Sequence, residues 1–327
     1  MFVVLMIATM SADNPLRIVF FGTPDFAVES LEALISDNRH VVAIVTAPDK
    51  PAGRGKKLQE PAVKTAALRH GIPVLQPTNL KDESFIKALA SYQADLQIVV
   101  AFRMLPEVVW NMPKKGTYNV HASLLPNYRG AAPINWAIIN GETETGVTTF
   151  KLKHEIDTGN ILLQSKVEIT SEDNAGSLHD KLMEAGAKLV LESVDQIQNG
   201  TETLSPQASS RGKNAPKIQK SDCQINYAQK AEHVRNFIRG MAPFPGAFME
   251  VFDGEETAKW KVFSSTISDQ PSNSAGKIKQ VDDKLMVSCE DFWLILDQIQ
   301  APGKKRMNTE DFLRGYQKGF SEFKILG

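Results

Sequence analysis

Cysteine is scarce in this 327-residue sequence, which also lacks several sequence motifs that are typical of nucleotide-binding, metal-binding and nucleophilic sites. Cys223 and Cys289 form no C-x-x-C pair and have no metal-ligand spacing. We therefore expect neither a disulfide framework nor a structural metal site. We expect the protein in a reducing compartment such as the cytoplasm. The turn after the first predicted strand lacks G-x-G-x-x-G, and no G-x-x-x-x-G-K-[ST] occurs, which weakens a dinucleotide or P-loop interpretation.

The chain also lacks a strong charge of either sign. Its net charge of −1 excludes a strongly basic footprint over the whole molecule, and its apolar content of 42% is that of an ordinary soluble protein. The charge is uneven, with 19 basic against 23 acidic residues in 1–205 and 18 against 15 in 206–327. The mildly basic final third indicates either a polyanionic partner or scatter in solvated surface charge.

No apolar run is long enough to span a bilayer. The first residues, MFVVLMIATMSA, resemble the apolar region of a signal peptide, but no basic segment precedes them. We expect residues 1–14 to be a disordered extension or the product of an upstream start codon, with Met10 a plausible true start. The sequence therefore predicts a protein without membrane contact.

The order of predicted elements indicates an α/β fold. A buried strand at Leu16–Phe21 ends in Gly22, and a helix follows with Thr23 as its cap and Pro24 at its first position. The next strand, His40–Thr46, completes a βαβ unit. A long amphipathic helix, Ser177–Gln198, is predicted to close the first domain, residues 15–200.

A second domain follows a linker. Residues 201–221 are polar and rich in Pro, Ser, Gly and Lys with little periodicity, which is typical of a linker. Residues 222–327 contain a helix and about five short predicted strands separated by turns. This pattern favours a small OB-like barrel.

Three polar residues at the end of a predicted strand and in a later turn are the catalytic candidates. Asn119 and His121 alternate with Tyr118 and Val120, so both polar side chains point to one face. Asp157 lies in a second turn, Asp-Thr-Gly. Strand ends beside loops are where α/β folds build their sites. Each residue also has an ordinary structural interpretation, as a hydrogen-bonding Asn, a core His or a turn Asp.

The missing nucleophile limits the chemistry of this trio. No Ser or Cys is placed with a base, and no G-x-S-x-G surrounds Ser123. Direct attack of one substrate on another fits best, with Asn119 and His121 stabilising an oxyanion. Asp157 would either orient the imidazole and favour its cation or pass a proton through water. An α-amine, with a reference pKa of about 7.7–8.0, could attack without a strong base.

A basic loop lies near the start of the chain. Residues 47–60, APDKPAGRGKKLQE, carry Lys50, Arg54, Lys56 and Lys57 between Pro and Gly residues. Such a run is either a solvated loop or a set of phosphate contacts.

At these residues the sequence resembles the folate-dependent formyltransferases. The resemblance extends from about Leu16 to nearly the end of the chain. It rests on FGTPDFA at 21–27, APDKPAGRGKKL at 47–58, NVHASLLPNYRGAAPI at 119–134, DTGN at 157–160 and INYAQKAEHVRNFIRGMAPFPGAF at 225–248. It implies a Rossmann-like catalytic domain followed by an OB-like domain.

The resemblance also implies roles for individual residues. It implies that formyl transfer from 10-formyltetrahydrofolate to the amine of methionyl-initiator tRNA involves Asn119, His121 and Asp157. The tetrahydrofolate contacts would be Ser123, Leu124, Leu125 and Pro126. The contacts to the acceptor end of the tRNA would be Arg54, Lys56 and Lys57. No metal and no protein partner are implied.

The sequence departs from the family pattern at two places. AFRMLP at 101–106 replaces a segment of the form AYGxILP beside the pterin pocket, and KLKHEIDTG replaces a methionine-rich run before Asp157. Two alternative functions also stay open. One is a formyltransferase for a small amine, a nucleotide sugar or glycinamide ribotide, which would require neither the basic loop nor the second domain. The other is a tRNA-binding module without catalysis.

Overall fold

The chain forms two halves, each built around its own β-sheet. The computed structural model describes residues 15–52, 57–208, 212–316, 319–320 and 323–326. The predicted extension at 1–14, together with Arg54 and Lys56 of the basic loop, lies outside the described residues. Within the described ranges, no helix combines the length and the hydropathy needed to cross a membrane.

The N-terminal half alternates strands and helices. Its strands are β1 (Ile18–Gly22), β2 (Val41–Val45), β3 (Lys50–Ala52), β4 (Lys57–Gln59), β5 (Val74–Leu75), β6 (Leu96–Val100), β7 (Thr117–His121), β8 (Arg129–Gly130), β9 (Glu144–Lys151), β10 (Ile161–Glu168) and β11 (Asn214–Ala215). Its helices are α1 (Asp25–Ser36), α2 (Ala62–Arg69), α3 (Glu83–Ser91), α4 (Glu107–Trp110), α5 (Pro133–Ile139) and α6 (Ala175–Asn199).

The main sheet of this half has the strand order β10-β9-β7-β6-β1-β2-β5. The strands from β7 to β5 run parallel, whereas β9 and β10 are antiparallel to their neighbours. The chain leaves β1 toward β2 and later returns on the other side of β1 as β6. Ligands of open α/β sheets bind at such a switch point, outside the carboxyl ends of the strands. β7 reaches this edge of the sheet.

Apolar side chains cover both faces of the sheet. Phe20 and Ile98 join the core cluster under α1, α2 and α6, and Phe21 and Val99 join the cluster on the opposite face with α3. β1 is accordingly an apolar run up to Gly22, because parallel strands are buried on both faces. Burial of each phenylalanine contributes about 1.5–3 kcal/mol.

Local sequence signals account for the ends of some helices but not for the start of α1. Asp82 caps α3 and accepts from the backbone N–H groups of Ser84 and Phe85, and Gly200 ends α6 with a φ of +66°. The prediction that Thr23 caps the first helix is wrong. Pro24, in an extended conformation, occupies the N-cap position of α1 and makes no side-chain cap hydrogen bond. Thr23 consequently lies outside the helix.

The C-terminal half is a curled antiparallel sheet with a helix packed against it. Its strands are β12 (Ala247–Phe252), β13 (Thr257–Pro271), β14 (Ile278–Val281), β15 (Lys284–Ser288), β16 (Phe292–Gln300), β17 (Met307–Asn308) and β18 (Lys324–Leu326). Its helices are α7 (Ala231–Met241) and α8 (Thr309–Arg314). The strand order is β14-β15-β16-β13-β12-β18, with β17 added to β16, so the sheet is a half-barrel.

Helix α7 supplies the apolar stripe that fills the half-barrel. Ala231, Val234, Ile238 and Met241 are buried at helical spacing and join the C-terminal core. The predicted fold class, a Rossmann-like α/β domain followed by a smaller barrel-like domain, is confirmed.

The two halves are held together through α5 and α7. The Asn135 side-chain amide donates to the Gly240 carbonyl at 2.7 Å. Arg239 donates to the carbonyls of Asp173 at 2.7 Å and Thr170 at 2.8 Å, in the loop before α6. Helix α5 follows the polar loop that carries the candidate site, so the second domain packs directly behind that loop.

Candidate active site

Strand β7 brings two of the three candidates to one face of the sheet. Tyr118 and Val120 belong to the core cluster under α6, so the intervening Asn119 and the final His121 project from the opposite face. Asn119 is partly buried, and its side-chain amide has no protein hydrogen-bond partner within the described part of the chain. The alternation therefore leaves two N–H donors of Asn119 available to a ligand.

The ring of His121 is fixed by a backbone group. Its Nε2 lies 2.8 Å from the carbonyl oxygen of Tyr128, and the residue is buried. A carbonyl oxygen only accepts, so Nε2 carries the proton and donates. In the neutral ring Nδ1 is then the bare nitrogen, which can accept a proton. Sequence reasoning did not identify this contact.

Tyr128 is itself held from several sides. Its backbone has a φ of +59°, and its N–H donates to the carbonyl of Lys213. Its hydroxyl donates to Glu142, and the Asn140 amide donates to that hydroxyl at 3.2 Å. Burial and the hydrogen bond to Glu142 raise the pKa of Tyr128 to about 12. The tyrosine is thus neutral, and its carbonyl has a defined position relative to His121.

Glu142 completes this support as an ion pair. The Lys213 ammonium contacts its Oε1 at 2.6 Å. Burial alone would raise the pKa of Glu142, but the hydrogen bonds from Lys213 and Tyr128 outweigh it and lower the pKa. Lys213 belongs to the predicted linker, which therefore contacts the site directly.

The segment Ser123–Pro126 is held in place by hydrogen bonds to neighbouring residues. The Ser123 hydroxyl donates to the Asn127 carbonyl at 2.6 Å, and the Leu125 N–H donates to Thr148 Oγ1 at 3.1 Å. Ser123 and Leu125 are buried, whereas Leu124 and Pro126 keep intermediate exposure. A ligand would therefore meet this segment through Leu124 and Pro126, with Ser123 and Leu125 supporting them from below.

Asp157 lies against the loop after β7 but does not meet the imidazole. Its Oδ2 accepts from the Gly130 backbone N–H at 3.1 Å, and its φ is +51°. Among the described residues Asp157 forms no ion pair with His121. The structure brings Asn119 and His121 to one face and ties Asp157 to the neighbouring loop.

Gly130 and Gly159 allow this close approach of chain segments. A Cβ on Gly130, whose φ is +126°, would lie 2.4 Å from the carbonyl oxygen of Ala215. A Cβ on Gly159 would lie 1.8 Å from the carbonyl oxygen of Lys151. Both turns therefore require a residue without a side chain.

The basic loop is described only at its two ends. β3 and β4 form a two-stranded hairpin in which Ala52 pairs with Lys57. Lys50 borders a cleft of about 680 Å³ between the first turn of α1 and helix α2, together with Pro24 and Pro61. None of the catalytic candidates lines this cleft.

Two family models match this chain when it is compared with known proteins. The model described as "Formyl transferase" matches residues 16–194, and the model described as "Formyl transferase, C-terminal domain" matches residues 217–317. The first match covers the main sheet, the loop after β7 and the turn that carries Asp157. The second covers α7 and most of the half-barrel.

Curated relatives match over nearly the whole chain. A protein named Methionyl-tRNA formyltransferase from Bacteroides fragilis is 51% identical over 308 residues, which is 92% of this chain and 95% of the relative. A protein of the same name from Flavobacterium johnsoniae is 47% identical over 302 residues, which is 92% of this chain and 96% of the relative.

Solved structures share the fold at lower identity. A sugar 3N-formyl transferase crystallised with dTDP and 5-N-formyl-THF has a TM-score of 0.62 and 18% identity, over 89% of this chain and 100% of that one. An N-formyltransferase from Helicobacter canadensis, in complex with folinic acid and dTDP-3-aminofucose, has a TM-score of 0.61 and 21% identity, over 88% and 99%.

Proposed function

This chain belongs to the formyl transferase family, and we propose that it transfers a formyl group from 10-formyltetrahydrofolate to the amino group of methionyl-initiator tRNA. The observation that carries the choice of acceptor is the identity of about half to proteins named Methionyl-tRNA formyltransferase across both domains. The second domain alone does not distinguish the acceptors, because sugar N-formyltransferases also align over 88–89% of this chain.

Asn119 would stabilise the charge that develops during transfer. When the amine adds to the formyl carbon, the carbonyl oxygen becomes an oxyanion. The Asn119 amide, which has no protein partner among the described residues, would donate to that oxygen. Donors aimed at a developing charge in a partly buried site are among the largest contributions to catalysis.

His121 would move the proton. Because its Nε2–H is bonded to the Tyr128 carbonyl, Nδ1 is the atom that would take a proton from the attacking amine. The resulting imidazolium would return that proton to the departing nitrogen of the folate. A neutral α-amine at a reference pKa of about 7.7–8.0 requires no stronger base than an imidazole.

Asp157 would assist from the neighbouring turn. One carboxylate oxygen accepts from Gly130, and the other has no protein partner in the described ranges. That free oxygen would stabilise the imidazolium or relay its proton through a bound water. The segment Ser123–Pro126 would form a wall for the folate, in which Leu124 and Pro126 make the contact and the buried Ser123 and Leu125 support them.

The tRNA would be held by positive charge. Arg54, Lys56 and Lys57 would contact phosphates near the acceptor end, and residues 206–327, with 18 basic against 15 acidic residues, would extend the contact. We propose the bounds 15–200 and 222–327 for the two domains, with 201–221 between them, and a cytoplasmic location.

A formylation assay with two acceptors tests this function. The chain is incubated with 10-formyltetrahydrofolate and either methionyl-initiator tRNA or a dTDP-amino sugar, and N-formylation is measured. We expect formylated tRNA and filter retention of tRNA that falls steeply with salt. Formylation of the sugar alone would favour the small-amine alternative. Retention of tRNA without turnover, unaffected by replacing His121, would favour a binding module.

A further inference from the structure

One side chain of the predicted linker connects the loop after β7, at Arg129, with the turn that contains Asp157 and Gly159. The Gln207 Nε2 donates to the carbonyl oxygen of Asp157 at 2.9 Å and to that of Gly159 at 2.8 Å. Its Oε1 accepts from the Arg129 guanidinium, at 3.0 Å from Nε and closer from Nη2. Both donors and the acceptor of the amide are therefore used, each on a different backbone or side-chain group.

The backbone around Gln207 is fixed independently of this amide. Ser205 exchanges two backbone hydrogen bonds with Ile161, at 2.8 and 2.9 Å, immediately after the turn that carries Asp157. Further along the chain, β11 pairs with β8. The chain is consequently held against the site both before and after Gln207, and the side chain is aimed at the site from an ordered position.

The contact from Gln207 acts where the Asp157 backbone is strained. Asp157 has a φ of +51°, a left-handed conformation that residues other than glycine adopt seldom. The hydrogen bond to its carbonyl opposes relaxation of that conformation. The Asp157 carboxylate in turn accepts from Gly130, the neighbour of Arg129. Gln207 and Asp157 thus close a ring of hydrogen bonds between the two turns.

We propose that Gln207 is a positioning residue for formyl transfer, which holds Asp157 in register with the loop that anchors His121. This inference rests on the proposed function, in which Asp157 assists the proton transfer. Glutamine suits the position because it supplies two donors and one acceptor on a single planar group. Glutamate has the same shape but lacks the N–H donors. Methionine has the same length but lacks both the N–H donors and the oxygen acceptor.

The test measures the kinetics of Gln207→Met. We expect kcat for formylation of methionyl-initiator tRNA to fall about tenfold to a hundredfold, because a displacement of about 1 Å in a reacting site has such effects. The KM values for both substrates should change less than about threefold. If Gln207→Met does not fold, Gln207→Glu carries the same test, because it keeps the acceptor for Arg129.

A double-mutant cycle separates positioning from general stability. In an Asp157→Asn background, adding Gln207→Met should change kcat less than about threefold, since the group it positions is already altered. If Asp157→Asn has no measurable turnover, the split between kcat and KM decides. Gln198→Met is the matched control, because the Gln198 amide also accepts from an arginine, Arg39, at 3.1 Å on the far end of α6. That variant should leave kcat unchanged.

The outcomes distinguish this inference from the function beneath it. If the parent chain formylates no methionyl-tRNA, the proposed function fails. If the parent is active and Gln207→Met keeps its kcat within threefold, or lowers kcat equally in both backgrounds, the positioning role of Gln207 is overturned.

Discussion

The Nε2 of His121 donates to the carbonyl oxygen of Tyr128 at 2.8 Å, so a backbone group seven residues away fixes which ring nitrogen is free. A substitution of the Tyr128 side chain does not itself remove this backbone carbonyl. The loop after β7 therefore determines the tautomer of His121, and Nδ1 is the nitrogen available for proton transfer.

Replacing Tyr128 with Phe separates the backbone contact from the side-chain contacts. The Tyr128→Phe variant loses the hydroxyl that donates to Glu142, and Glu142 keeps its pairing with Lys213. We expect the free energy of unfolding to fall by about 0.5–1.5 kcal/mol, with kcat within about threefold of the parent. Urea unfolding and steady-state formylation measure the two quantities. A hundredfold loss of kcat in a folded variant would assign the hydroxyl itself a catalytic role.

Asn119→Ala tests the oxyanion donor. The substitution removes the side-chain amide from β7 without changing the buried face that Tyr118 and Val120 form. We expect kcat to fall by roughly a hundredfold to a thousandfold, the cost of removing one oxyanion donor. A formylation time course at saturating concentrations of both substrates measures kcat, and circular dichroism checks the fold. A rate within tenfold of the parent would exclude Asn119 as that donor.

Gly130→Ala tests whether the site requires the close packing of the linker, at Ala215, against Gly130. Its Cβ would lie 2.4 Å from the Ala215 carbonyl, so β11 must move away and the Gly130–Asp157 hydrogen bond must change. We expect kcat, measured by steady-state formylation, to fall at least about tenfold.

Gly200→Ala is the matched control for that substitution. Gly200 also has a positive φ, +66°, but a Cβ added there would have no atom of another residue within 4 Å in the described part of the chain, its chain neighbours aside. Gly200→Ala should lower stability by about 1 kcal/mol and leave kcat unchanged. Equal kcat values for the two alanine variants would contradict the packing argument.

The loop before α6, which Arg239 of the second domain contacts, should give the stability of the protein a specific dependence on pH. Burial alone would raise the pKa of Asp173, but hydrogen bonds from Lys181, Thr170 and Ser177 outweigh it and lower the pKa to about 2. A lowered carboxyl pKa stabilises the folded state above the ordinary value of 3.8, and that contribution is lost as the pH falls toward 2.

Asp173→Asn should therefore be destabilised at neutral pH by roughly 1–3 kcal/mol, the cost of losing hydrogen bonds to a charged group. The difference from the parent should shrink below about pH 4. Urea titrations between pH 7 and pH 3 measure it. A difference that stays constant down to pH 3 would show that the carboxylate charge does not matter there.

Local patterns were sufficient to predict most of the catalytic half. The alternation from Tyr118 to His121 correctly predicted the face on which Asn119 and His121 lie, because the period of a strand depends only on neighbouring residues. The helix predicted at Ser177–Gln198 corresponds to α6, Ala175–Asn199, for the same kind of reason, since its amphipathic spacing is a local signal.

The environment of the site could not be predicted in this way. Gln207 lies in a polar stretch without periodicity, and its partner Arg129 is 78 positions away in the sequence. The contact depends on the path of the whole chain, so no local signal marks it. The same holds for Lys213, which sequence reasoning placed in a linker and the structure places against Glu142.

His121→Gln tests the central claim most directly. The glutamine amide can reach the Tyr128 carbonyl in place of Nε2–H, but it has no basic nitrogen in place of Nδ1. We expect the variant to fold like the parent and its single-turnover rate of formyl transfer to methionyl-initiator tRNA to fall by about a hundredfold to ten-thousandfold. A rate within tenfold of the parent would contradict proton transfer through His121.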